Sequence, residues 1–535
     1  MSKKTLLCWN QIDWDIVKQR VFRLQRRIFR ATSNQKLGLI YYLQNKLINS
    51  FDAKLLAVYK ATDGEKTTKG EHTNEYKIKL AYQLKLNPNV NCNNVDTIEG
   101  VSQQYLIQLA LSPQWEAILP PNIYGFRPGY NPHDAVEQIR QQLTNEPQYV
   151  VKGNLELLNS QQVNSVILKR IHAIPLIKSY IQQLLQLNRL EATVMQLNKL
   201  EFWEKKLKKN WILEPILINI LFYEIHNNLK KSFFQFLNQS SLTSISFVSY
   251  QPYFLILCPN LEMAKLIQSD FKNWLANSGI DIQNSIHITT QGFLFLGFQF
   301  ILIRNKNQYF LKRHISKKSK QSFIQKTRLI IQQNKAVSAY VLIKKLTPVI
   351  IHWVDYFQYC DCKKDFQVLD HVLFSQLRAW VFRRKAQGKN RHFLKQKYFP
   401  SGKTFIYKKK KYQNNWVLCG EKKDSNDQFR PVIKRNFLPK LSWTSSKRFI
   451  PVKPNYSIYN DEHIYWTLRW NEYPYFQRFI RNLIFQQNGK CGSCHGPFSS
   501  QDKMTITYLP INQVYRYKAV AVHKKCVFEN SKKSD

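Results

Sequence analysis

Four residues near the C-terminus have the types and spacing of a metal site. Cys491 and Cys494 form a C-x-x-C pair, His523 and Cys526 form an H-x-x-C pair, and 28 residues separate Cys494 from His523. Thiolates and an imidazole in two such pairs suit tetrahedral Zn²⁺. The sequence therefore predicts a structural zinc site in a small C-terminal unit, with His495 as an alternative ligand.

Strong positive charge identifies the class of partner. The 535 residues include 80 Lys and Arg against 35 Asp and Glu, which gives a formal charge of +45. Residues 301–420 alone contain 27 basic and 4 acidic residues. Mixed charges are enough for solubility, whereas a field of one sign repels itself unless a polyanion neutralises it. We therefore expect a nucleic acid partner, and we do not expect this protein to present an acidic surface to a partner.

Composition also excludes several structural classes. A hydrophobic content of 44% is too high for wholesale disorder and allows several buried cores. Nine cysteines are too few for a disulfide framework, so a reducing compartment is expected. The apolar stretch 286–303 is interrupted by Gly292 and Gly297, which predicts a hairpin of buried strands and no membrane association.

Six segments, in order, resemble the proteins encoded by group II introns, which combine a reverse transcriptase, a maturase domain X and an HNH endonuclease. The segments are 9–31, 41–62, 113–139, 211–225, 288–300 and 346–399. The most specific of them reads PQWEAILPPNIYGFRPGYNPHDAVEQI. The resemblance implies an α+β multidomain fold with reverse-transcriptase-like fingers and palm, a right-hand arrangement, a helical thumb (domain X) and a small HNH-like zinc module.

This resemblance gives five expected domains. Residues 1–70 form an N-terminal helical reverse-transcriptase extension, and 71–304 form degenerate fingers and palm, with a polar insert at 71–105. Residues 305–400 form the thumb, 401–460 a basic linker, and 461–535 a degenerate HNH-like zinc module.

The acids that the family uses for polymerisation are replaced. A polymerase palm needs closely spaced carboxylates that hold two Mg²⁺ ions. Asn154 stands at the early Asp position, and Pro252 and Tyr253 replace the Asp pair that follows the motif tyrosine. Glu156 leaves one nearby carboxylate, and the family's glycines before Pro215 are absent. We expect no catalytic magnesium site and no polymerase activity.

The nuclease positions are replaced in the same way. The family places an Asp-His-His type of cluster before an Ile-x-Pro, whereas MTITYLP here offers Thr505, Thr507 and Tyr508. Val527 follows the last cysteine, where the family has a His. The resemblance therefore implies a zinc module without endonuclease activity.

Two sets of cations remain at the positions where the resemblance implies that the family binds RNA. Periodic apolar residues predict helices over 12–60 and 305–400, with cations on their other faces. The candidate RNA-binding residues are Arg20, Arg23, Arg26, Arg27, Arg30, Arg378, Arg383, Arg384, Lys385, Lys389, Arg391, Lys395 and Lys397. The predicted thumb core is Leu346, Val349, Ile350, Trp353, Phe366, Leu369, Leu373, Leu377 and Trp380. Both tryptophans fit the core better than a base-stacking role.

Two functional hypotheses follow. The first is an RNA-binding maturase-like splicing cofactor that stabilises folded group II intron RNA and is not itself an enzyme. The alternative is a non-catalytic protein acting on ribosomal RNA or ribosomal-operon transcripts. A resemblance to the ribosomal operon-associated protein of euglenoids, a plastid protein, would imply this second role. Abundant Lys, Asn, Ile and Phe indicate an AT-rich genome, so we expect an organelle-encoded protein of the plastid stroma, or alternatively a bacterial cytoplasmic protein.

Overall fold

The computed structural model describes most of the chain. The described residues are 9–63, 73–86, 95–143, 146–158, 160–187, 190, 194, 212–236, 245–277, 280–306, 308–384, 390–408, 410–424, 432–460, 462–470, 478–498, 504–511, 516–524 and 526–527. Within this part of the chain, no helix is long and apolar enough to cross a membrane.

Helices and strands both contribute, which agrees with the α+β prediction. The helices are α1 Trp14–Ser33, α2 Leu37–Asn49, α3 Phe51–Asp63, α4 Asn74–Gln83, α5 Ile98–Ile118, α6 Pro132–Gln142, α7 Ser160–Arg170, α8 Pro175–Gln186, α9 Glu214–Phe236, α10 Leu261–Asn277, α11 Lys317–Gln333, α12 Ala339–Phe357, α13 Lys363–Phe382, α14 Arg391–Tyr398, α15 His463–Trp470 and α16 Arg478–Gln486. The strands are β1 Tyr149–Leu158, β2 Ser246–Tyr250, β3 Tyr253–Cys258, β4 Ile280–Ile288, β5 Phe293–Phe295, β6 Phe298–Asn305, β7 Gln308–Ile315, β8 Thr404–Tyr407, β9 Lys410–Gln413, β10 Cys419–Asp424, β11 Val432–Phe437, β12 Met504–Ile511 and β13 Arg516–His523.

The N-terminal helices α1, α2, α3 and α5 pack around one core. Asp13 caps α1 by accepting hydrogen bonds from the backbone N–H groups of residues 15 and 16. The buried face of α1 has helical spacing and consists of Val17, Val21, Gln25, Ile28 and Ala31. Gln25 is satisfied because its amide donates to the Leu109 carbonyl of α5 at 2.9 Å. The described parts of the predicted polar insert are also packed, since α4 buries Ile78 and Leu80.

The largest sheet of the described residues is antiparallel and has the strand order β2-β3-β1-β4. Its inner positions include Val151, Phe254 and Ile256, all fully buried. A second sheet, β5-β6-β7, contains the predicted hairpin of the apolar stretch 286–303. Strand β6 alternates buried and partly exposed residues, as expected for a strand with one covered face.

Helices α11, α12 and α13 form a three-helix unit, and its core was predicted correctly from the sequence. Trp353 is fully buried and packs on Phe323 and Phe357, at ring distances of 4.7 Å each. Trp380 is buried and donates from its indole N–H to the Asn334 carbonyl at 2.9 Å. Every other predicted core residue is buried except Val349, which packs at the margin. Both tryptophans are therefore structural.

The segment predicted to be a basic linker contains two hairpins, β8-β9 and β10-β11. Phe405, Val417 and Trp443 form a small core between them. The Trp443 indole N–H donates to the Asn414 side chain at 2.7 Å. Short two-stranded hairpins expose one face and carry aromatic residues at irregular intervals, so their sequence lacks the alternation that identifies longer strands.

Residues 450–460 and 462–470 dock against helix α6 and the loop before it, which both lie within or beside segment 113–139. The buried Asp134 carboxylate accepts from the Val452 backbone N–H at 2.7 Å and from Arg469 at 2.9 Å. Gly129 has φ +84°, and a Cβ there would lie 2.7 Å from the Trp466 ring. Glycine is required at 129 for both backbone conformation and contact. The C-terminal region is thus fixed to the N-terminal half of the chain.

Candidate functional site

The three positions that the resemblance assigns to the family's palm acids lie close together in the four-stranded sheet. Strands β1 and β3 are paired so that Asn154 lies directly opposite Tyr253. The backbone N–H of Leu155 donates to the Pro252 carbonyl at 3.1 Å. Strand pairing therefore brings these three residues next to one another, and their assignment to the family's acid positions stays a prediction. Glu156 lies in β1, but its side chain is outside the described residues.

Amide groups tie this hairpin to the neighbouring helix. The Gln251 side chain, at the hairpin turn, donates to the Pro215 carbonyl at 2.7 Å and to the Asn219 side chain. Asn219 in turn donates to the Gly125 carbonyl at 2.9 Å. Both amide side chains are buried. Neutral groups with mutual hydrogen bonds stabilise this junction and provide no pair of anionic oxygens for Mg²⁺.

The predicted zinc ligands are brought together. Cys491, Cys494, His523 and Cys526 place their ligand atoms within 4.8 Å of one another. The Nδ1 atom of His523 lies 3.3 Å from the Cys494 sulfur and 3.8 Å from the Cys526 sulfur. A tetrahedral zinc ion with ordinary bond lengths separates nitrogen and sulfur ligands by about 3.6 Å. The cluster therefore has the size and chemistry to hold a metal ion.

Local backbone structure positions the two thiols of the first pair. The turn closes with the Cys491 N–H donating to the Gly496 carbonyl and the His495 N–H donating to the Cys491 carbonyl, at 2.9 and 3.0 Å. His495 is exposed and outside the cluster, so His523 is the imidazole of the set. Burial opposes ionisation of Cys491, but hydrogen bonds from His523 and nearby backbone N–H groups lower its pKa to about 6.

The arginines of α1 divide between two faces of the helix. Arg20, Arg23, Arg27 and Arg30 are exposed and repeat at intervals of three and four residues, which places them in one row. We call these four residues the α1 arginine row. Arg20 lies 3.7 Å from the Asp52 carboxylate, and because its side chain is 61% exposed, solvent largely screens this ion pair.

Arg26 lies outside this row. Arg26 lies on the same helix face as Phe22, four residues before it, and Phe29, three residues after it. Both phenylalanines contact the buried ring of Tyr459. Burial, and then the neighbouring Arg30, lower the pKa of Arg26. The C-terminal region covers this face, so Arg26 is less available for a phosphate contact than its sequence neighbours.

The predicted thumb cations also differ in accessibility. Five of them are exposed: Arg378, Arg383, Arg391, Lys395 and Lys397. Arg378 and Arg391 both lie over the Phe382 ring, at 5.3 and 5.9 Å. Arg384 instead covers the Trp380 ring at 3.7 Å and donates to the carbonyls of Lys335 and Val337. Its contacts are structural. Lys385 and Lys389 lie outside the described residues.

One exposed aromatic residue was not predicted from the sequence. Trp416 is 52% exposed and stacks on Phe374 of α13 at 5.2 Å. It follows the basic hairpin β8-β9, where Lys410 and Lys411 are exposed. An exposed tryptophan beside lysines can stack on an unpaired base. The sequence signal is the Trp within the KKKKYQNNW run, but its partner Phe374 lies 42 positions earlier in the chain.

Two regions match known protein families. Residues 9–84 match the N-terminal domain of reverse transcriptase, and residues 320–399 match the group II intron, maturase-specific domain. The chain is also similar to Maturase-like protein 1 of Euglena gracilis, with 24% identity over 382 residues, covering 65% of this chain and 77% of that protein. These findings confirm the resemblance to group II intron-encoded proteins. The two matched regions contain the α1 arginine row and the exposed thumb cations.

Proposed function

We propose that this relative of group II intron-encoded proteins is an RNA-binding, maturase-like splicing cofactor that stabilises folded intron RNA. The carrying observation is that both family-matched regions present exposed cations, on α1 and on the helices of the thumb. Folding a large RNA brings its phosphates together, and bound Arg and Lys side chains lower that repulsion. The intron RNA supplies the catalytic chemistry.

The same proposal includes loss of polymerase activity. Two-metal catalysis needs carboxylates, and the paired residues Asn154 and Tyr253 have none. The adjacent hairpin turn is held by the Gln251 amide, which donates to the Pro215 carbonyl. We expect that restoring the acids in N154D/P252D/Y253D does not give polymerisation, because Gln251 and the residues before Pro215 still differ from the family's nucleotide track. Primer extension on an RNA template measures this. Extension by the unaltered protein would contradict the assigned loss.

Zinc is the metal that we assign to the C-terminal cluster. Three thiolates and one imidazole favour Zn²⁺ over Mg²⁺ or Ca²⁺, and four protein ligands leave no open position for substrate. The hairpin β12-β13 has Thr505 and Thr507 where the family has its metal-binding acid and histidines. We therefore propose a structural zinc module that has lost endonuclease activity.

A splicing assay tests the proposed function directly. Purified protein is added to a group II intron transcript from its own genome, and the splicing rate is measured across a Mg²⁺ titration. We expect the protein to lower the Mg²⁺ concentration needed for half-maximal splicing several-fold, because its cations replace part of the counterion requirement. An unchanged Mg²⁺ requirement for every such intron would reject the splicing role.

The alternative substrate is ribosomal RNA or a ribosomal-operon transcript. The same cationic surfaces suit either RNA, so the identity of the bound RNA separates the two. The similarity to a maturase-like protein favours the intron, whereas relationship to the ribosomal operon-associated proteins stays a prediction. We place the protein in the plastid stroma, supported by AT-rich composition and by the relative from Euglena gracilis.

A further inference from the structure

A cavity of about 740 Å³ lies between the N-terminal helices and the C-terminal region. One wall includes residues of α1, α3 and α5. The other includes residues 458 and 459, helix α15 and the metal-binding turn, through Cys494 and Phe498. This volume falls within the range of about 300–1,000 Å³ typical of small-molecule sites. Asn154, Pro252 and Tyr253, which are proposed to replace the palm acids, do not line this cavity.

Two lysines give the cavity its charge. Lys18 and Lys60 both line it, and no carboxylate of the described residues pairs with the Lys60 ammonium. Burial, and then the charge of Lys18, lower the pKa of Lys60. Asp15 offsets Lys18 at 4.0 Å, and the buried Glu116 is held by Arg127 at 3.0 Å. Lys60 is therefore a cation that an anionic ligand would stabilise.

Aromatic rings lie beside these cations. The Lys60 Nζ atom lies 5.8 Å from the centre of the Tyr105 ring, and the Lys18 Nζ atom lies 5.9 Å from that of Tyr59. Phe126, which is 39% exposed, also lines the cavity. Cations for a phosphate together with rings for a base are the combination that proteins use for unpaired nucleotides.

We propose that this cavity binds one unpaired nucleotide of the RNA partner, with its phosphate at Lys60 and Lys18 and its base against the tyrosine rings. The proposal rests on the RNA-binding function above and adds a defined site to it. Because the metal-binding turn forms part of the wall, the cavity requires the N-terminal helices and the C-terminal module together.

Titration with each of the four ribonucleoside 5′-monophosphates tests the site, with intrinsic tryptophan fluorescence as the readout. We expect saturable binding to the wild-type chain and a loss of about tenfold or more in K60M, which keeps the apolar stem but removes the charge. K46M is the matched control, because Lys46 also lies over a tyrosine but is exposed on α2. K18M gives a second variant at a half-exposed position if K60M fails to fold.

The outcomes separate this site from the general function. If the wild-type chain binds intron RNA tightly but binds no monophosphate, the nucleotide site is overturned and the RNA-binding function stays intact. The same conclusion follows if K60M and K18M bind monophosphates as tightly as the wild type does. Weaker monophosphate binding by K60M and K18M, with K46M equal to the wild type, would support the site. Failure of the wild-type chain to bind any structured RNA would reject the proposed function itself.

Discussion

Replacing Arg20, Arg23, Arg27 and Arg30 by glutamine is expected to weaken binding of structured RNA about a hundredfold near physiological salt. The four side chains form the exposed α1 arginine row, so each can contact a phosphate without disturbing the core. Each lost contact lowers the slope of log K against log salt by about 0.7–0.9, so the slope should fall by about 3. Filter binding across a salt series measures both quantities.

The matched control removes the same charge elsewhere. Lys169, Lys178, Lys265 and Lys272 are exposed on α7, α8 and α10, outside the two family-matched regions. Their replacement by glutamine lowers the net charge equally and should change the salt slope by less than about 1 if contacts are confined to the proposed surfaces. Equal losses in the two variants would show that only net charge matters and would remove α1 from the binding site.

Loss of the metal should have the second large effect. We expect C491S to lower bound zinc from one atom per chain to a trace and to unfold residues 478–527. Structural zinc contributes about 10–16 kcal/mol in zinc-finger peptides, whereas the buried core of this module is small. Metal analysis and limited proteolysis measure the two changes. Chelation of the wild-type protein should reproduce them.

Cys419 provides the control for this variant. It lies in β10, away from the cluster, so C419S should retain full zinc content and protease resistance. Full zinc content in C491S would contradict the ligand assignment. Zinc loss without any change in proteolysis would show that the module is held by its contacts with α1, such as the close approach of Gln19 to Gly496.

Local sequence signals predicted the elements well where one face of a helix is buried. The spacing of Leu346, Ile350 and Trp353 identified the buried face of α12, because helical periodicity survives without knowledge of the neighbours. Asn154 and Tyr253, which the resemblance places at the palm acids, lie opposite each other in adjacent strands, and their assignment to those positions stays a prediction.

Contacts between distant segments could not be predicted. Arg26 and Arg27 are adjacent in sequence, but only Arg26 lies on the α1 face that Tyr459 covers, and that residue comes from more than 400 positions away. Arg383 and Arg384 are chemically identical neighbours, but the fold places Arg384 over the Trp380 ring and leaves Arg383 exposed. The nucleotide cavity needs both ends of the chain, so no local pattern indicates it.

The most direct test of the central claim is crosslinking of this protein to RNA in its own cell, followed by sequencing of the bound fragments. The proposed function predicts that reads concentrate on one or more group II introns, within their folded domains, and that the variant lacking the α1 arginine row loses them. Reads on ribosomal RNA or ribosomal-operon transcripts, with introns at background, would contradict the splicing role and establish the alternative.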